Sequence, residues 1–126
     1  SRLIDEQQFD IYATRQMRLV IESLNGTAVG AVDMFEFDPQ NLRAGVGIIV
    51  ATPYRKQGYA QDALQTLERY VRDVLRMHQL WCSVGADNEA SLALFKKAGY
   101  AECGRRKGWI LTPNGAIDEV LMQKLL

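Results

Sequence analysis

Cysteine, proline and histidine are scarce in this chain: 126 residues include two cysteines, three prolines and one histidine. Cys82 and Cys103 lack C-x-x-C spacing and are too few for a disulfide scaffold, so free thiols in a reducing compartment are expected, with the cytoplasm as the expected location. The single His78 has no cluster of ligand-type side chains around it, which argues against a metal site. Net charge is missing as well. Fifteen Lys and Arg balance fifteen Asp and Glu, so there is no global field to draw the chain onto nucleic acid or an anionic membrane, and any positive site has to be local. No apolar run reaches the roughly 18 residues of a membrane helix, and no charged-then-apolar leader opens the chain. Repeats and low-complexity tracts are absent. What is present is 48% hydrophobic residues, enough for one domain with a real core, residues 1–126.

The apolar pattern divides into strands and two helices. Arg18 to Glu22 and Ala28 to Phe37 read as a hairpin across Asn25-Gly26. Ala44 to Ala51 is apolar on both faces and contains Gly45 and Gly47, as a buried strand closely approached by something else would be. Ala60, Ala63, Leu64, Leu67, Tyr70, Val71, Val74 and Leu75 recur at steps of three and four, which predicts a helix with one core-facing stripe. Leu80 to Val84 is a short strand. Asn88 opens a second helix that stops at Gly99. Tyr100 to Arg105, Trp109 to Leu111 and Ile117 to Leu125 close the chain as strands. The order β-β-β-α-β-α-β-β predicts an α/β (α+β) fold with a mixed, largely antiparallel sheet and helices packed on it.

The stretch YRKQGYAQDAL, Tyr54 to Leu64, reads as the start of the first helix and has the wrong charges for one. Helix N-termini favour Asp or Glu, because their unpaired N–H groups and the macrodipole are positive. Here Arg55 and Lys56 come first. A glycine-bearing cationic helix start, fed directly by a strand, is suited to holding phosphate. It is neither a GxxxxGKS/T loop nor a GxGxxG loop. Taken alone, Arg55-x-x-Gly58-x-Ala60 fits an exposed basic turn equally well.

Two motifs in register decide between these. VATPYRKQGYA carries Q/R-x-x-G-x-G/A after a strand, and DNEASLALFKKAGY carries F/Y-x-K-x-G-F/Y at the end of an Asn-headed helix. Together they resemble the GNAT superfamily of N-acetyltransferases. RAGVGIIVATPYRKQGYA and GWILTPNGAIDEVLMQKLL are most similar to the branch holding spermidine and spermine N-acetyltransferases and ribosomal-protein N-terminal acetyltransferases. The resemblance implies acetyl-CoA as donor, with a small-molecule amine such as a polyamine, or a protein N-terminus, as acceptor. It implies that the backbone of Ile48, Ile49 and Val50 pairs with the pantetheine arm, and that Arg55, Lys56, Gln57, Gly58, Tyr59 and Ala60 cradle the pyrophosphate. Asn88 would sit beside the pantetheine, with Ser91 a weaker candidate. Asn88 is also a good N-cap in any protein.

Amine acetylation needs a neutral amine, a stabilised oxyanion and a proton for the departing thiolate. The resemblance places a Tyr general acid where this chain has Phe95, and a Glu where it has Gly45. The catalytic groups are therefore unassigned, with Glu36, Asp33 and Tyr59 as substitutes to weigh and a non-catalytic acyl-CoA-binding module as the competing class. Asp33, Glu36 and Asp38 could attract a cationic acceptor. Trp81, Trp109 and Tyr100 read as core or sheet-face aromatics, and Arg105-Arg106-Lys107 as a solvated turn. Relatives usually begin with a further strand and two helices forming one wall of the acceptor cleft. That N-terminal strand and helices are expected to be missing here, with residues 1–14 a remnant of the helical region and 15–126 the cofactor-binding core. A homodimer could supply the wall from a second copy.

Overall fold

The computed structural model describes residues 2–5 and 11–126. A seven-stranded sheet carries the molecule, built from β1 (Arg2–Ile4), β2 (Met17–Glu22), β3 (Ala28–Asp38), β4 (Arg43–Val50), β5 (Gln79–Gly85), β6 (Ala101–Thr112) and β7 (Gly115–Leu125). Their spatial order is β1-β2-β3-β4-β5-β7-β6. Adjacent strands run antiparallel except β4 and β5, which are parallel. A parallel neighbour requires a crossover, and α2 (Tyr59–Asp73) makes it. The next crossover is α3 (Glu89–Lys97), between β5 and β6. Near the start a single turn, α1, spans Ile11–Thr14.

Alternation decides what each strand gives to the core. Leu19 and Ile21 of β2, Val29, Val32 and Met34 of β3, Ala44, Val46 and Val50 of β4, Leu80, Cys82 and Val84 of β5, and Val120 and Met122 of β7 are all buried. Onto that face α2 lays Ala63, Leu64, Leu67 and Val71. Each fully buried leucine there contributes on the order of 1.5–3 kcal/mol. Lys124 of β7 ties the two helices to the same face: its Nζ donates to Glu68 Oε2 of α2 at 2.7 Å and to the Ala98 carbonyl at the end of α3 at 2.6 Å. The Tyr100 hydroxyl lies beside Glu68 without a well-formed hydrogen bond. Burial, with the Glu68 carboxylate adding to it, raises the Tyr100 phenol well above its ordinary range. Burial also pushes the Cys82 thiol up to about 12, whereas Cys103 is exposed.

The other face of the sheet has no helix over it among the described residues. Phe35 and Trp81 meet there edge to face with centroids 5.3 Å apart, and Asp33 accepts both Nε and Nη2 of Arg18.

Four expectations change. The predicted helical remnant, residues 1–14, contains an edge strand, since Arg2–Ile4 pairs with β2; residues 1 and 6–10 of that stretch lie outside the described residues. The two predicted strands at Tyr100–Arg105 and Trp109–Leu111 are one strand, Ala101–Thr112, with register shifts between Glu102 and Gly104 and between Arg106 and Ile110. Bulges there let a continuous strand break its alternation, which is why the sequence reads as two pieces. The predicted solvated turn Arg105-Arg106-Lys107 therefore lies within β6, paired to Asp118 and Glu119. Finally, α2 begins at Tyr59, so Arg55 and Lys56 precede it, and Val74 and Leu75 lie beyond its last residue.

Candidate functional site

Parallel pairing of β4 with β5 covers only Arg43–Gly45 against Gln79–Trp81. Beyond those residues the ladder stops, leaving Val46–Val50 of β4 and Cys82–Gly85 of β5 without each other as partners. A cleft of about 680 Å³ lies at this end, lined by Ile48, Ile49 and Val50, by the loop and first turn of α2, and by the outer face of α3. That volume is in the usual range for small-molecule sites.

The loop is shaped by two left-handed residues. Lys56 has φ 63° and Gly58 φ 86°, ψ 0°, and Gly58 caps α2 with no side-chain hydrogen bond to its N–H groups. An ideal Cβ at Gly58 would meet nothing within 4 Å, so the glycine answers to backbone conformation and an open approach, not to crowding. Arg55 Nε donates to the Val50 carbonyl at 2.9 Å, fixing the loop against the end of β4. Arg55, Lys56 and Lys97 all line the cleft, and none of the described lining residues is acidic. An open helix N-terminus in a cationic wall is an anion seat. With α2 starting at Tyr59, the anomaly of Arg55 and Lys56 disappears: they flank the positive pole without occupying the first turn.

Of the expected cofactor residues, Ile48, Ile49, Val50, Arg55, Lys56, Gly58, Tyr59, Ala60 and Asn88 are brought together around this one cleft. Gln57 is not, since its side chain turns back to donate to the Pro53 carbonyl at 3.1 Å. Asn88 does two things: it lines the cleft, and its Oδ1 accepts the Ser91 N–H at 3.1 Å as the N-cap of α3. Sequence reasoning missed Tyr54, Gln61, Ala90, Leu94 and Lys97 as lining residues. The spacing of Ala90, Leu94 and Lys97 along one helix face was the available signal. Gln61 also joins the two helices, its Nε2 donating to the Leu94 carbonyl at 3.4 Å.

The catalytic substitutes separate. Tyr59 lines the cleft and packs edge-on against Tyr54, centroids 6.4 Å apart. Glu36 is not brought to the cleft: it sits exposed with φ 48° at the irregularity between Phe35 and Asp38, at the opposite end of the β3–β4 pair from Val50. Asp33 is held by Arg18, while Asp38 accepts from Gln40 and Asn41 and lies 3.5 Å from Arg43. Phe95 is buried against Tyr100 at 5.0 Å. At Gly45 an added Cβ would fall 2.2 Å from Phe35 Cε2, so the Phe35 ring occupies the space a Glu would need.

A family profile for the acetyltransferase (GNAT) domain matches residues 2–101. The chain belongs to this family. It is 28% identical to spermidine N(1)-acetyltransferase of Escherichia coli K12 over 91 residues, which cover 72% of this chain and 48% of that protein. An N-acetyltransferase 9-like protein of Nematostella vectensis is 35% identical over 75 residues, 58% of this chain and 38% of that protein. The chain thus spans about half the length, or less, of these curated relatives. In fold it is similar to spermidine N-acetyltransferase from Vibrio cholerae solved in complex with CoA and spermine: TM-score 0.84 at 22% identity, covering 91% of this chain and 68% of that one. The GNAT domain is therefore a mixed sheet opened between its two parallel strands, with a cationic cleft at the opening.

Proposed function

We propose that this GNAT domain transfers an acetyl group from acetyl-CoA to a primary amine, with a polyamine such as spermidine as the first acceptor to test. One observation carries the donor assignment. The end of β4, the Arg55–Ala60 loop and the start of α3 converge on a single cationic cleft where β4 and β5 part. A pantetheine arm can add to the unpaired edge of Ile48–Val50 as an extra strand, and the pyrophosphate can rest on the N-terminus of α2. Arg55, Lys56 and Lys97 supply the counter-charge. CoA in this seat would bring the thioester to the gap between the parallel strands, where a backbone N–H of β4 near Val50 can polarise its carbonyl. The amine nitrogen then attacks the carbonyl carbon, the C–S bond breaks, and CoA leaves as a thiolate that takes a proton.

The acceptor assignment draws on the names of the relatives, two of which are spermidine acetyltransferases. The test is steady-state release of free CoA thiol from acetyl-CoA with spermidine, spermine, simple diamines and basic N-terminal peptides. Release that depends on a polyamine supports the proposal. Release that depends on a peptide N-terminus moves the acceptor to the protein class. CoA binding with no release above hydrolysis for any amine leaves a binding module and overturns the enzyme assignment.

A further inference from the structure

The covered face of the sheet accounts for the donor and leaves the amine's proton without a destination. On the open face, one pair of side chains sits beside the same gap. Ser83 of β5 donates its hydroxyl to Glu119 Oε2 of β7 at 2.5 Å. Residues 79, 81, 83 and 85 of β5 alternate with the buried Leu80, Cys82 and Val84, so Ser83 projects from the open face two residues past the last pairing of β5 with β4. Across the gap β4 contributes Gly47, which has no side chain to block the way. Ser83 itself is exposed. Glu119, opposite Gly85 in the ladder, is mostly covered: its side chain is 14% exposed and its Oε1 has no solvent contact and no aligned hydrogen-bond donor.

The charge facing this carboxylate is Arg106 of β6, with Nε 3.2 Å from Oε1. Arg106 also lies over the Trp109 ring, 4.7 Å from its centroid, which holds the guanidinium on the outer side of Glu119. The Oε2 side, with Ser83 on it, is the side toward the gap. A carboxylate fronted by a serine hydroxyl can receive a proton through that hydroxyl without being in contact with the amine, while Arg106 holds its other oxygen in place.

We infer that Ser83 and Glu119 form the acceptor-side proton relay of this domain, receiving the ammonium form of a primary amine. This rests on the acetyl-CoA assignment above. In the step, an ammonium N–H passes its proton to Ser83 Oγ while the Ser83 proton moves to Glu119 Oε2. The neutral amine attacks the thioester carbon, the C–S bond breaks, CoA departs as a thiolate and takes the second proton that the amine nitrogen sheds, and the proton on Glu119 returns to solvent before the next cycle. Ser83 makes the contact and Glu119 is the proton sink behind it. The pair would act as the base that Gly45 cannot be; it does not replace the general acid missing at Phe95.

The experiment compares wild type, Glu119→Gln and Ser83→Ala in the CoA-release assay, with CoA affinity and urea midpoint measured on the same samples. Calorimetric binding of spermidine to the CoA-loaded protein is the second measurement. For Glu119→Gln a loss of roughly hundredfold in kcat/KM is expected, with at least a tenfold loss for Ser83→Ala, and CoA affinity and midpoint unchanged. Spermidine binding should weaken at least tenfold in Glu119→Gln. Wild-type turnover retained by both variants overturns the relay and leaves the acetyltransferase assignment standing. If wild type releases no thiol, the enzyme assignment fails, and binding decides the site. Loss of spermidine binding in Glu119→Gln alone supports an ammonium site here, whereas equal or undetectable binding in both proteins overturns it.

Discussion

The two faces of the sheet are built from the same strands and do opposite things. The face under α2 and α3 is filled by buried aliphatic side chains and ends in a cleft with three cations on its walls. The open face carries paired polar groups, Arg18 with Asp33 and Ser83 with Glu119, around the Phe35–Trp81 contact. The proposed acetyl transfer would need both characters close together. The donor wants a rigid seat with fixed dipoles, and the acceptor wants access and a place to leave a proton. The gap between β4 and β5 is where the two faces communicate.

The comparison breaks most sharply at the phosphate seat. Gly58→Glu places a negative charge at the helix pole, and CoA affinity should fall roughly hundredfold or more by calorimetry. Gly58→Ala is the control, because it shares the cost of a side chain at φ 86° without the charge; it should keep most of the affinity. Next is the Lys124 tie beneath the covered face. Lys124→Met leaves the Glu68 carboxylate buried without its cation, and the urea midpoint should report a loss of about 3 kcal/mol. On the open face, Gly45→Ala would push the Phe35 ring off its contact with Trp81, at about 1–3 kcal/mol, showing that this face is locally well packed without a helix over it. The smallest effect belongs to the exposed end of the β6–β7 ribbon. Trp109 is 58% exposed but carries the Arg106 guanidinium on its ring, and Trp109→Ala should shift stability by about 0.5–1 kcal/mol.

Much of this was legible in the residues. The apolar stripe of α2, the Asn88 cap and the Gly99 stop are local features, and local features leave periodic or positional marks in a sequence. Gly58 and Asn88 were readable as cleft residues because each also solves a backbone problem where it stands. The merging of β6 was not readable, because a bulge hides a strand's continuity by interrupting its alternation. Glu36 and Glu119 show the same limit. Both are glutamates in strands, and nothing near either in sequence distinguishes them. Strand register sends Glu36 to the end of β3 remote from the cleft and sets Glu119 beside Ser83, thirty-six residues away.

By itself, then, the sequence determined the type and order of most elements and the anion-seeking loop between β4 and α2, because dipoles, caps and hydrophobic periodicity act over one or two turns of chain. Only the tertiary structure decided that Gly45 is occupied by the Phe35 ring, that Gln57 turns away, and that Ser83 and Glu119 face the gap. Those outcomes depend on sheet register and on which strands part, and register is set by packing summed over the whole sheet.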